Sequence, residues 1–212
     1  VTKWKTAGDS VLGARILARK EATSLLVIGA GTVAKNLLQA YSEVFPNLTD
    51  FTIWNRNQEK AHALARELQD LGIAVTVAQD LKSAVKEAHI ISCATMAKDP
   101  VLKGAWVSKG THVDLIGAYR PDMREADDEL MRRGSIFVDA RETTIGEIGE
   151  LMIPMAAGII QESDVIGDLQ DLCNGKPGRQ SEDEITVYKN GGGAHLDLMT
   201  GNMIVEKVLS LQ

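Results

Sequence analysis

Six short runs rich in apolar and β-branched residues recur along the 212-residue chain, at Ser24 to Ile28, Phe51 to Trp54, Ala74 to Val77, Ile90 to Cys93, His112 to Ile116 and Ile136 to Val138. Between them, Val33 to Tyr41, Gln58 to Leu71, Asp80 to Glu87 and Arg124 to Arg133 carry apolar residues three and four apart, the spacing of one helix face. A strand that is followed by a helix cannot pair with the next strand through a tight hairpin, so the chain must cross over and run parallel. The alternation therefore predicts an α/β fold built on a doubly wound parallel sheet. After Val138 the pattern loosens. Pro154, Gly158 and the Gly175-Lys176-Pro177-Gly178 turn punctuate it before a polar "QSEDE", a strand-like "ITVYK" and a triple glycine, Gly191 to Gly193.

The first apolar run ends in "GAGTVA". Gly29, Gly31 and Ala34 occupy the three small-residue positions of a dinucleotide fingerprint. The first allows a tight turn, the second lets backbone approach a pyrophosphate, and the third permits close packing of helix on strand. Ala30, Thr32 and Val33 complete the turn and open the helix whose N-terminus would face the anion. This context makes the sheet a Rossmann-type one. The second strand ends at "WNRNQ", without the acidic residue that would bond a ribose 2′-hydroxyl. Asn55 does not repel a 2′-phosphate and Arg56 can pair with one bidentately, which favours NADP(H) with NAD(H) as the alternative. The competing reading of Arg56 is a solvated loop cation, stacked on adenine or on nothing.

Composition excludes several classes. The formal charge of −6 and the absence of Lys/Arg runs argue against the basic face that a nucleic acid requires. Apolar stretches such as Leu25 to Ala30 and Leu151 to Ile160 are too short or too interrupted to span a bilayer, so a cytosolic protein without a membrane partner is expected. Cys93 and Cys173 show no CxxC spacing and no histidine cluster, and both are expected to be buried thiols. No serine sits in a GxSxG elbow, which leaves nucleophilic hydrolysis unsupported. The acidic residues Asp122, Glu125, Asp127, Asp128 and Glu129 read as a helix start, where carboxylates are stabilised by the dipole, and not as a metal site. His195 and Asp197 would point to different faces of a helix, so no metal is expected there either.

Five stretches together resemble the ornithine cyclodeaminase/μ-crystallin family. They are "WKTAGDSVLGARILAR", "VIGAGTVA", "ISCATMAKDPVLKGAWVSKGTHVDLIGAYRPDMREAD", "FVDARETT" and "SEDEITVYKNGGGAHLDL". The resemblance implies a Rossmann domain at residues 20–193 and remnants of a second, substrate-binding and dimerising domain at residues 1–19 and 194–212. Because the sequence starts at Val1 inside the segment that bridges those domains, it reads as lacking the family's N-terminal third. A homodimer is the family expectation.

The resemblance also carries site residues. Lys5 stands where relatives often have an arginine on the substrate carboxylate. A lysine keeps the charge and gives up the bidentate fork. Ala94, Thr95 and Met96 follow the fourth strand at the cofactor ribose, Ile116 and Gly117 end the fifth, and Asn190 and Gly191 fall where relatives contact the nicotinamide. The cyclodeaminase pattern has an aspartate two residues after Gly117; here that residue is Tyr119. A phenol with a pKa near 10 is a poor resident base, so the resemblance points to NAD(P)H-dependent reduction of a cyclic ketimine carboxylate of the Δ1-pyrroline-2-carboxylate type. Cyclodeamination of ornithine, alanine dehydrogenase-like deamination and a μ-crystallin-like binding protein are the alternatives.

Overall fold

The computed structural model describes residues 2–211; Val1 and Gln212, the outer ends of the two expected second-domain segments, lie outside the described residues. Strands and helices follow in the order α1 (Thr2–Leu17), β1 (Ser24–Ile28), α2 (Thr32–Val44), β2 (Asp50–Trp54), α3 (Gln58–Gln69), β3 (Thr76–Val77), α4 (Leu81–Glu87), β4 (Ile90–Cys93) and β5 (His112–Leu115). The second half holds α5 (Asp128–Arg133), β6 (Ser135–Val138), α6 (Arg141–Thr144), α7 (Gly149–Ala156), β7 (Val165–Asp168), α8 (Leu169–Cys173), β8 (Thr186–Lys189) and α9 (Ala194–Leu209).

The eight strands form one sheet in the order β3-β2-β1-β4-β5-β8-β6-β7, and every pairing is parallel. A strand covered by helices on both faces must be apolar on both, which is why "LLVI" and "IISC" read as continuous runs. Successive side chains feed opposite layers. Leu25 and Val27 join Leu37, Leu38 and Tyr41 in one core; Leu26 and Ile28 join Ile91, Cys93, Leu115 and Val187 in the other. Helix α1 belongs to the first layer, contributing Ala7, Val11 and Ala14.

Three expectations need correction. The third strand begins at Thr76 and not Ala74. The helix expected over Arg124 to Arg133 begins only at Asp128, because Asp127 caps it by accepting from the Leu130 amide at 3.1 Å. Cys173 is exposed while Cys93 is buried. The sheet also has a strand, β7, that periodicity missed: its four residues "VIGD" contain too little apolar surface to register. Among the described residues no helix is long and apolar enough to cross a membrane, and no group of three His, Cys, Asp or Glu side chains is placed to hold a metal.

Candidate active site

Since all strands are parallel, their C-terminal ends meet along one edge. The chain leaves β1 toward β2 on one side and returns as β4 on the other, so the crevice of the switch point opens between β1 and β4. One further rung of hydrogen bonds aligns the first residue after each strand. Gly29 N donates to Trp54 O at 2.8 Å, Ala94 N to Ile28 O at 2.8 Å, Ile116 N to Cys93 O at 2.9 Å, and Asn190 N to Leu115 O at 3.1 Å.

The glycine turn has the geometry that its sequence demands. Gly29 adopts φ +126°, and a Cβ there would sit 2.5 Å from the Ala94 carbonyl oxygen. Gly31 meets nothing within 4 Å of its missing Cβ, so its backbone faces open space. Helix α2 starts at Thr32, which is exposed; Val33 is half-buried and Ala34 lies in the core. No side chain caps α2, which leaves its first amides available to an anion. A cleft of about 560 Å³ is walled by residues of the Gly29 to Gly31 turn, the segment Trp54 to Asn57 and the loop Ala94 to Asp99. Asn55 is half-buried, its amide donating to Asn57 O at 2.8 Å, while Arg56 is exposed at the cleft. Met96 is 74% exposed on the opposite loop.

Beyond β4 the rim changes character. Gly117 has no room for a side chain, since a Cβ would collide with the Thr95 carbonyl. Glu125, fully buried, holds both loops: Oε1 accepts from Thr95 N and from Thr95 Oγ1, each at 2.7 Å, and Oε2 accepts from Gly117 N at 2.6 Å. Glu150 lies behind it, accepting from Glu125 N at 2.8 Å and Ala126 N at 2.9 Å. Burial, and then the Glu150 charge, push the Glu125 pKa up to about 8, while Lys189 and the Thr95 donors pull it down. The donors facing both oxygens are those an ionised carboxylate needs. Lys189, also fully buried, donates from Nζ to Leu115 O and Asn190 O, both at 2.8 Å; burial lowers its pKa and the surrounding carboxylates oppose this.

Asn190 donates from Nδ2 to Thr6 O at 3.1 Å and to Ser10 Oγ at 2.9 Å, and its buried Oδ1 has no partner. Asp139 secures the glycine loop, taking Gly192 N at 2.8 Å and Thr144 Oγ1 at 2.6 Å. A Cβ on Gly191 would stand 2.5 Å from Thr144 Oγ1. Lys5 grips the same loop from α1, donating to Gly192 O at 3.0 Å and pairing with Asp197. Its charge is thus already engaged. Tyr119 stands outside the residues walling the 560 Å³ cleft, 55% exposed, with the Arg120 guanidinium 5.8 Å from its ring centre.

The expected cofactor residues Gly29 to Val33, Asn55, Arg56, Ala94 to Met96, Ile116, Gly117, Asn190 and Gly191 all fall on this edge, Ile116 with its side chain packed in the core. The acidic cluster separates. Asp122 is exposed, paired with Lys98 and Arg120, whereas Glu125 points inward. Sequence reasoning passed over Glu125, Glu150, Asp139 and Lys189. For the last two a signal existed: a charged residue closing the apolar runs "IFV" and "TVY", at the strand ends where an open sheet places its ligand.

An open parallel sheet with a bare glycine turn at its switch point defines a Rossmann-type α/β protein. The model of the ornithine cyclodeaminase/mu-crystallin family matches residues 1–212, and the chain belongs to that family. It is 55% identical over 207 residues to the Delta(1)-pyrroline-2-carboxylate reductase of Paracoccus denitrificans, covering 96% of this chain and 65% of that protein. The structure of Thermococcus litoralis Delta(1)-pyrroline-2-carboxylate reductase with NADH and L-proline superposes with a TM-score of 0.93 at 33% identity, over 99% of this chain and 65% of the other. The iminosuccinate reductase of Paracoccus denitrificans with NAD+ gives a TM-score of 0.89 at 30% identity, over 97% of this chain and 62% of the other. The chain thus spans just under two thirds of the length of these relatives.

Proposed function

We propose that the protein containing this chain reduces a cyclic ketimine carboxylate of the Δ1-pyrroline-2-carboxylate type to the cyclic amino acid, using NAD(P)H. The observation that carries this reading is the 55% identity to a reductase of that substrate, with a tyrosine and not a carboxylate at position 119. The residues fit a dinucleotide: Gly29 and Gly31 leave a cradle that a Cβ would fill or crowd, and the Asn190 Oδ1 is a buried acceptor without a donor. When bound, the cofactor supplies the hydride that adds to the imine carbon.

The chain does the holding. The Gly29 to Val33 turn and the start of α2 receive the pyrophosphate, Asn55 and Arg56 the adenosine ribose, and the Ala94 to Met96 loop with Ile116 and Gly117 the inner ribose. Asn190 and Gly191 meet the nicotinamide. Arg56 beside the uncharged Asn55 supports NADP(H) as the preferred form, and Arg56→Ala is expected to weaken NADPH about 10- to 100-fold, the loss of a charge-assisted hydrogen bond, and NADH about threefold at most. Equal losses for both would remove that preference.

A protonated imine is already electrophilic, so the substrate side needs orientation more than a base. Tyr119 can donate a hydrogen bond there. Lys5 ties the glycine loop to α1, and a substrate carboxylate would share its charge with Asp197. We assign residues 20–193 to the dinucleotide and residues 1–19 and 194–212 to a second, dimerising domain, with helix α1 as the bridging segment whose Ala7, Val11 and Ala14 also pack into the sheet's first layer. Helix α9 supports this, for Leu198, Met199, Met203 and Leu209 are each more than 60% exposed, an apolar face suited to a homodimer or the rest of a longer chain. A cytoplasmic location goes with use of the cell's reduced dinucleotide.

The test is NADPH oxidation by the intact protein with Δ1-pyrroline-2-carboxylate, followed by detection of proline. No oxidation with any cyclic ketimine carboxylate overturns the reading. Turnover of an acyclic imine alone would place the chemistry nearer the iminosuccinate reductase, and tight NADPH binding without turnover would make this a binding protein.

A further inference from the structure

We propose that Glu125 is a positioning residue for hydride transfer, using its two carboxylate oxygens to fix the cofactor-side loop at Thr95 against the substrate-side loop at Gly117. The proposal rests on the reductase reading. Strands β4 and β5 are neighbours, and their regular pairing stops at Cys93 and Leu115. One more rung, Ile116 N to Cys93 O at 2.9 Å, continues it. Beyond that rung the carboxylate bridges the two loops, with the Thr95 amide and hydroxyl on one oxygen and the Gly117 amide on the other.

Glu125 itself has no slack. Its carbonyl accepts from Val101 N and Leu102 N, both at 2.9 Å, and its amide is held by Glu150 Oε2 at 2.8 Å. The contact between the loops is close enough that any side chain at position 117 would strike Thr95 and the Glu125 carboxylate. One rigid group therefore sets the spacing between the loop assigned to the cofactor ribose and the loop that leads to Tyr119. A displacement of about 1 Å between reacting groups costs on the order of 10²-fold in rate, so a clamp that touches neither ligand can still govern turnover.

Glu125→Gln keeps the shape and breaks the clamp. An amide has one acceptor oxygen, and its nitrogen must confront either the Gly117 or the Thr95 N–H, donor against donor. In the intact protein we expect kcat to fall about 10- to 100-fold while the Kd for NADPH moves less than about threefold, with a larger primary isotope effect from 4-deuterated NADPH. Thr95→Val, which removes only the hydroxyl donor, should give the same pattern more weakly. Unchanged kcat in both variants overturns the proposal, as does a parallel loss of kcat, NADPH affinity and thermal stability, which would mark a structural role. Hydrogen exchange separates this proposal from the functional reading. Even if the wild-type protein reduces no ketimine, Glu125→Gln must speed exchange at residues 94–97 and at 117–120 together, and loosening of one segment alone, or neither, ends the proposal.

Discussion

The two halves of the sheet edge are built on opposite terms. Around β1 and β2 the interior is apolar, the rim is backbone and glycine, and charged side chains such as Lys35 and Glu67 pair on the surface at 2.8 Å. Around β5, β8 and β6 the rim is underpinned by ionisable groups, with Asp114, Glu125, Glu150 and Lys189 fully buried and Asp9 and Asp139 nearly so. A phosphate ligand asks mainly for close backbone and free amides, which glycine and a helix start supply locally. Fixing several loops from separate strands requires long polar side chains reaching between them, and these must be buried and mutually satisfied. The difference teaches that one half is specified by short motifs and the other by a network.

Removing charge at the centre of the network should have the largest effect. Lys189→Met leaves Glu125, Glu150 and Asp139 without their buried cation and frees the Leu115 and Asn190 carbonyls. Loss of one partner from a buried charged cluster costs about 3–5 kcal/mol, read as a drop in the urea midpoint at constant slope. A loss below about 1 kcal/mol would show that the two halves do not differ in this way.

The same contrast explains what could be read from the sequence. The turn at Gly29, the start of the helix after it and the strand at Ser24 to Ile28 follow from neighbours in the chain, and the structure places them within a residue of expectation, although that helix runs on three residues past Tyr41 to Val44. The place of β8 does not follow. The last strand in sequence enters between β5 and β6, and only this insertion brings Lys189 and Asn190 beside Leu115. Glu125 shows the same limit, since its near neighbours Asp122, Asp128 and Glu129 are solvated or half-exposed. An acidic stretch looks like a helix start from the sequence, and only the fold reveals that one member turns inward to Thr95 and Gly117.

A smaller, more local loss is expected in the glycine half. Gly29→Ala puts a Cβ 2.5 Å from the Ala94 carbonyl at φ +126°. Strain of this kind costs about 1–3 kcal/mol, and the displaced turn should lose dinucleotide affinity as well. Stability and NADPH binding that both stay at wild-type levels would mean the turn is not constrained as described.

The network half should also set the alkaline flank of stability. Burial, reinforced by Asp139, raises the Asp9 pKa to about 8 against the Tyr188 hydroxyl that donates to it at 3.0 Å. A carboxyl raised in the folded state contributes its stability fully below its unfolded pKa and loses it as pH rises through the folded value. His112, pulled down to about 3 by burial and Arg179, acts with the opposite sign below about pH 6.5, the ordinary histidine value. Between about pH 6.5 and 8, then, Asp9→Asn should flatten the fall in stability by at most about 1.4 kcal/mol per pH unit, in urea midpoints measured across that range. Identical slopes in both proteins would remove Asp9 from the network.

The smallest effect tests the other side of the comparison. Lys35 and Glu67 make an ion pair at 2.8 Å, the length of the Lys189 hydrogen bonds in the network, but their side chains are 34% and 58% exposed. Water already solvates both ends, so the pair gains little from forming and leaves little stranded when broken. Lys35→Ala should cost less than about 1 kcal/mol, and the loss should fade in high salt because exposed charges are screened. If this surface pair cost as much as Lys189, burial would not be what separates the halves, and the contrast would have to be sought in the chain's local structure instead.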